Sequence, residues 1–184
     1  GLAPRPAPTD VRLDALIDSL NLPAPADAGT EMSGLELSGV RHDSRRVEPG
    51  DLFVAVPGAT HDGSSFVRDA LRSGAVALMA ERELASDVPL MIVADARLGL
   101  GQAAELVYGE PTSALPTVGI TGTNGKTTTA YLLKQAIEGA SGKPALVGTT
   151  GLIGLGDTTP SLHTTPEGDD ISRFARIALD QGAT

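Results

Sequence analysis

Lys126 and Thr127 stand together at the end of a glycine-rich run, Gly122-Thr123-Asn124-Gly125, and that grouping suits the binding of a nucleoside triphosphate. Glycines let a backbone curl until several N–H groups point at one anion. A helix opening at Lys126 adds the partial positive charge of its N-terminus. Lys126 would reach the outer phosphates, and the Thr127 hydroxyl would ligate Mg²⁺. The spacing departs from the general G-x-x-x-x-G-K-[ST] pattern, because Ile120 stands where the first glycine belongs and Gly122 gives a tighter G-x-x-G-K-T loop. A strand-turn-helix corner that needs glycine for geometry alone is the competing explanation. Against it, the helix dipole disfavours lysine in a first turn, and a bound polyphosphate reverses that penalty.

Other polar groupings have simpler explanations. Asp43-Ser44-Arg45 fits a polar turn with a surface ion pair, worth about 0–1 kcal/mol. Thr165-Pro166 is a plain helix start, with Thr at the N-cap and Pro at the first helical position. Asp62-Gly63 is turn chemistry. With no cysteine and three scattered histidines, His42, His61 and His163, no dedicated transition-metal site is expected.

The elements that must hold these residues follow from apolar spacing. Leu13, Leu16, Ile17 and Leu20 share a helical face, with Asp10 as its expected N-cap and Pro23 and Pro25 ending it. Leu35 to Arg41 and Asp51 to Val56 are expected strands flanking a Pro49-Gly50 turn. Phe66, Val67, Ala70 and Leu71 predict a helix that stops at Gly74. Ala75 to Ala80 and Pro89 to Val93 predict buried strands, and Asp95 is the expected cap of a helix ending near Tyr108. Gly109 to Pro116 is the expected linker. After it come a strand running into the glycine loop, a helix over Lys126 to Glu138, a strand over Ala145 to Val147 and a helix from Pro166 to about Gln181. The glycines from Gly148 to Gly156 are spaced like turns. The expected domains are residues 1–112, with residues 1–9 flexible, and residues 113–184.

Composition narrows the partners. Hydrophobic residues make up 41% of the 184 residues and charged residues 20%, as in ordinary globular domains. Aromatic residues are 3%, so Leu, Val, Ile and Ala must build the core. The net charge of −9 argues against nucleic acid, whose backbone demands a basic surface. No apolar run approaches the roughly 18 residues of a membrane span. The absence of cysteine fits a cytoplasmic protein, and a monomer is expected.

Three segments, taken in order, resemble the Mur ligases, the ATP-dependent amide-forming enzymes of peptidoglycan precursor synthesis. The family's D-S-R, P-G-D-L-F-V-A and D-G-x-x-F runs stand here as Asp43-Ser44-Arg45, Pro49-Gly50-Asp51-Leu52-Phe53-Val54-Ala55 and Asp62-Gly63-Ser64-Ser65-Phe66. Its T-G-T-N-G-K-T-T loop is intact at Thr121 to Thr128, and its T-T-P segment stands at Thr164-Thr165-Pro166. The resemblance spans nearly the whole chain after residue 30. Thr123 in place of serine, together with T-T-P, favours the branch that adds the third amino acid over the sibling that adds D-alanyl-D-alanine.

The resemblance implies an α/β fold: a uridine-binding α/β domain followed by the start of a P-loop α/β ATPase domain. It implies ATP and Mg²⁺ as cofactors, with ATP on Gly122, Thr123, Asn124, Gly125, Lys126, Thr127 and Thr128, Lys126 catalytic and Thr127 on the metal. It implies UDP-N-acetylmuramoyl-L-alanyl-D-glutamate and a diamino acid, meso-diaminopimelate or L-lysine, as substrates. His42, Ser44, Ala59, Thr60 and His61 match uridine contacts, and Thr164 and Thr165, with His163 beside them, match contacts near the muramoyl and phosphate groups. The implied reaction passes the γ-phosphoryl group to the D-glutamyl carboxylate, and the diamino acid's amine then attacks the acyl phosphate.

The second unit, of about seventy residues, is small for a P-loop domain of five or six strands. The chain is therefore expected to be the N-terminal part of a longer protein and to be silent in catalysis by itself. Two alternatives stay open: a kinase or GTPase with an unrelated first domain, and a non-catalytic nucleotide-sugar-binding module.

Overall fold

Leu52-Phe53-Val54 and Ala77-Leu78-Met79-Ala80 are apolar at every position, a pattern that suits strands covered on both faces. The computed structural model places both inside a parallel sheet. It describes Pro6 and residues 11–25, 34–58, 62–148, 151–154, 157–159 and 166–184. The chain divides into two compact units, Pro8–Gly109 and Glu110–Thr184, the second together with Gly1–Ala7.

The unit Pro8–Gly109 begins with β1 (Val11–Arg12), α1 (Leu13–Ser19) and β2 (Glu36–Leu37), the two strands pairing antiparallel. A four-stranded parallel sheet follows in the order β3 (Gly39–Arg41), β4 (Asp51–Val54), β5 (Ala77–Ala80) and β6 (Leu90–Ile92). Its register sets Val40 beside Leu52, Phe53 beside Leu78 and Met79 beside Met91. Because side chains alternate across a sheet, Leu52, Val54, Ala77 and Met79 pack with Leu13, Leu16, Leu100, Ala103 and Val107 of α1 and α3 (Ala96–Val107). Phe53, Leu78 and Ala80 pack on the other face with Val67 and Ala70 of α2 (Val67–Arg72).

Several expected elements change at their ends for local reasons. The single strand expected over Leu35 to Arg41 is split at Ser38, whose N–H donates to Gly50 O at 2.9 Å while the chain changes partner from β1 to β4. Asp10 lies outside the described residues. The N-cap position of α1 is Arg12, with no side-chain cap, because the N–H of Leu13 donates to Leu35 O at 2.8 Å. That helix ends at Leu20 and Asn21 (φ 51°), ahead of the prolines expected to stop it. The α2 helix stops as expected at Gly74, whose φ of 104° and a Cβ site only 2.8 Å from Pro49 Cα leave no room for a side chain. Asp95 caps α3 by accepting the N–H of Leu98 at 2.9 Å.

Charge is also buried in this unit. Arg41 Nε lies 3.7 Å from Asp51 Oδ2, with the two side chains 4% and 1% exposed. Asp51 further accepts the N–H of Glu48 at 2.8 Å, which offsets part of the desolvation cost.

The unit Glu110–Thr184 holds α4 (Pro111–Ala114), α5 (Lys126–Gly139), β7 (Leu146–Gly148), β8 (Gly151–Gly154), β9 (Asp157–Thr159) and α6 (Gly168–Asp180). The stretch expected as a linker therefore carries a one-turn helix, started by Pro111 at its first position. The strand expected before the glycine loop does not form. Val118 is 64% exposed, and residues 118–120 pair with no strand among the described residues. Where glycines suggested turns, β7, β8 and β9 make an antiparallel meander, with Gly148 opposite Gly151 and Gly154 opposite Asp157. The last helix begins at Gly168 rather than Pro166 and buries Phe174, Ile177 and Ala178. Among the described residues, no helix is long and apolar enough to cross a membrane.

Candidate functional site

The glycine loop is built as a turn that L-residues rarely adopt. Gly122 has φ 146° and Gly125 has φ 80°, and Gly125 occupies the N-cap position of α5. Among the described residues no side chain caps that helix, whose first-turn N–H groups lack intrahelical partners as at any helix start. Within the turn, Lys126 Nζ donates to the carbonyl oxygen of Gly122. Thr123, Asn124, Thr127 and Thr128 are exposed beside it. Lys126 and Thr127 also border a cavity of about 460 Å³, lined by apolar residues of α5, β7 and α6 that include Leu133, Leu146 and Phe174. None of the α5 residues is buried.

The carboxyl end of the parallel sheet carries the second group of candidates. Just past β3, Asp43 caps a 3₁₀ turn over Ser44–Arg46 by accepting the N–H of Arg45 at 3.1 Å. The same carboxylate grips the Arg45 guanidinium through Nε at 2.9 Å and Nη2 at 2.7 Å. That guanidinium, with the backbone N–H, holds the Asp43 carboxyl below its usual range despite partial burial. Ser44 between them is 8% exposed. His42 is half-buried next to it.

Past β4, Asp62 caps the turn Gly63–Phe66 by accepting the N–H of Ser64 at 3.0 Å. Arg82, just past β5, donates to Asp62 Oδ2 at 2.8 Å and to Ser64 Oγ at 2.6 Å. The Ser64 backbone and hydroxyl groups and then Arg82 lower the Asp62 pKa to about 2. The neighbouring Glu81 accepts the N–H of Ala96 at 2.9 Å and so anchors the start of α3. The roles of Arg82 and Glu81 leave no local signal in the sequence, because each contact joins segments at least 15 residues apart.

His42 and Ser44 thus adjoin in the first unit, and Gly122 to Thr128 form one loop in the second. Ala59, Thr60, His61, His163, Thr164 and Thr165 lie outside the described residues. Among the described residues, no three His, Cys, Asp or Glu side chains are grouped to hold a metal.

A parallel sheet with capped turns at its carboxyl end, joined in one chain to a glycine loop heading a helix, defines an α/β protein. The chain belongs to the Mur ligase family: the model of the Mur ligase catalytic domain matches residues 36–108, and that of the Mur ligase middle domain matches residues 120–184. It is 43% identical over 141 residues to a UDP-N-acetylmuramoyl-L-alanyl-D-glutamate–2,6-diaminopimelate ligase of Geobacillus thermodenitrificans, covering 76% of this chain and 29% of that protein. The enzyme of the same name from Geobacter metallireducens is 41% identical over 176 residues, covering 94% of this chain and 34% of the relative.

A solved structure of a ligase with that name matches with a TM-score of 0.71 at 28% identity, covering 96% of this chain and 35% of the other. A UDP-N-acetylmuramoylalanyl-D-glutamyl-2,6-diaminopimelate–D-alanyl-D-alanyl ligase from Acinetobacter baumannii matches with a TM-score of 0.58 at 27% identity, covering 74% and 29%. The chain spans about a third of the length of the relatives it matches.

Proposed function

We propose that the protein is an ATP-dependent amide ligase of peptidoglycan synthesis, which joins a diamino acid to UDP-N-acetylmuramoyl-L-alanyl-D-glutamate in the cytoplasm. The observation that carries this reading is the uncapped head of α5, with left-handed Gly122 and Gly125 and with Lys126, in a chain 43% identical to a ligase of that name. The names of the relatives favour 2,6-diaminopimelate over lysine.

In this reading the unit Pro8–Gly109 takes the uridine end of the substrate, at Ser44 and His42 and at Thr60 and His61. The unit Glu110–Thr184 takes the phosphates of ATP, with His163, Thr164 and Thr165 toward the muramoyl group. The donor set fits a triphosphate: free first-turn N–H groups, a mobile ammonium, and an exposed Thr127 hydroxyl that supplies one hard oxygen for Mg²⁺. Bound ATP supplies a phosphoryl group that activates the D-glutamyl carboxylate for attack by an amine. Such a transfer asks the protein for positioning and charge neutralisation. Gly122 to Gly125 orient the phosphates through backbone N–H groups, and Lys126 neutralises charge at the outer phosphates.

Calorimetric titration of the protein with UDP-N-acetylmuramoyl-L-alanyl-D-glutamate and, separately, with MgATP tests the reading. Binding of both is expected. Binding of the triphosphate without binding of the uridine compound would overturn this reading.

A further inference from the structure

The contacts of Arg82 tie together two connections at the carboxyl end of the parallel sheet. The side chain leaves the chain just past β5 and reaches the turn that follows β4. A single nitrogen, Nη2, serves both Asp62 Oδ2 and Ser64 Oγ. Asp62 uses its other oxygen on the N–H of Ser64, and its backbone is bridged to Pro57. The turn is thereby held by β4's own continuation on one side and by a cation from β5 on the other. Glu81 does the same in the opposite direction by holding the start of α3. Arg82 covers no core: its side chain is 63% exposed, and exposed ion pairs contribute little to stability. Its contacts instead fix the position of a turn at the end of the sheet where open α/β sheets bind ligands. The same end carries Ser44, which is 8% exposed.

We propose that Arg82 is a positioning residue for the uridine end of the substrate, acting by holding Asp62 and Ser64 in place. This rests on the reading of Pro8–Gly109 as the UDP-substrate unit. Removing the cation frees the turn, so that binding must order it again at a cost in affinity.

The test is calorimetric titration of the whole chain with UDP-N-acetylmuramoyl-L-alanyl-D-glutamate, comparing wild type, Arg82→Met, Arg82→Lys, Asp62→Asn and the Arg82→Met/Asp62→Asn pair. Arg82→Met is expected to weaken binding about three- to tenfold, the range for losing a charged hydrogen bond at a partly exposed site. Arg82→Lys is expected to recover most of that loss. The double variant is expected to bind no more weakly than the weaker single one, since both remove the same contact. MgATP affinity is expected to stay unchanged throughout. If the wild type binds and Arg82→Met binds equally well, the proposal is overturned while the substrate reading stands. Losses that simply add in the double variant overturn it too, because Arg82 would then not act through Asp62. If the wild type binds no uridine substrate, both fall together.

Discussion

The ammonium of Lys126 is hydrogen-bonded to the carbonyl oxygen of Gly122, so the cation of the glycine loop lies folded across the loop's own mouth. The bond spans the turn between Gly122 and Gly125, both at positive φ. Under the proposed function, an entering polyphosphate would meet a cradle already charged and already curved, which would lower the ordering cost of binding.

Lys126→Ala is expected to weaken MgATP binding about ten- to a hundredfold, the range for a charge-assisted hydrogen bond lost from a binding site. In a ligase assay of the complete enzyme it should remove ATP turnover. Because Lys126 is exposed, circular dichroism and the unfolding midpoint should match those of the wild type. Titration calorimetry reads the first effect, and unchanged ATP affinity would remove Lys126 from the phosphate site.

How much of this was legible in the sequence depends on how local each feature is. Consecutive apolar runs announced β4 and β5, and Asp95 announced the start of α3, because burial and capping are written in neighbouring residues. The glycine loop was legible for the same reason: Gly122 and Gly125 stand at two of its left-handed positions. The meander was not, since Gly151-Leu152-Ile153-Gly154 is too short to show a period and its glycines read as turns. Val118 to Ile120 misled in the opposite sense. They carry an apolar strand pattern, but a strand also needs a hydrogen-bonded neighbour, and sequence does not reveal whether one is there. The grip of Arg82 on Asp62 spans 20 residues and leaves no local trace.

Acid should release the turn after β4. The Asp62 carboxyl titrates at about 2 in the folded chain, against an ordinary 3.8. A carboxyl with a depressed folded pKa contributes stability that is fully present above the unfolded value and is lost as pH falls through the folded one. The contribution of Asp62 is therefore expected to be complete above about pH 5, to decline below 3.8 and to vanish near 2. Asp43, also depressed, should add to the same decline. Carboxyl chemical shifts should place the Asp62 midpoint near 2, and urea midpoints between pH 2 and 5 should fall less steeply in Asp62→Asn than in the wild type. A midpoint near 4 would mean that the contacts to Ser64 and Arg82 do not persist in solution.

Two glycines of the first unit should respond to alanine with opposite signs. Gly74 follows α2 with φ 104°, and a Cβ there would stand 2.8 Å from Pro49 Cα, a backbone atom that cannot swing aside. Gly74→Ala therefore meets both left-handed strain and a clash, and should cost at least about 1–3 kcal/mol. Gly101 lies within α3, and nothing stands within 4 Å of the Cβ it lacks. At that position alanine mainly restricts the unfolded chain and raises helix propensity, so Gly101→Ala should stabilise by about 0.5–1 kcal/mol. Gly99, two residues earlier, is different again, because its Cβ would meet Met79 Sδ at 2.7 Å. That sulfur lies near the end of a flexible side chain, but Met79 is fully buried between β5 and α3, so alanine at Gly99 should erase the propensity gain rather than reach the cost expected at Gly74. Urea unfolding of the three variants should rank them Gly101→Ala, Gly99→Ala, Gly74→Ala from most to least stable. A stabilised Gly74→Ala would show that the chain passes from α2 to β5 by a different turn.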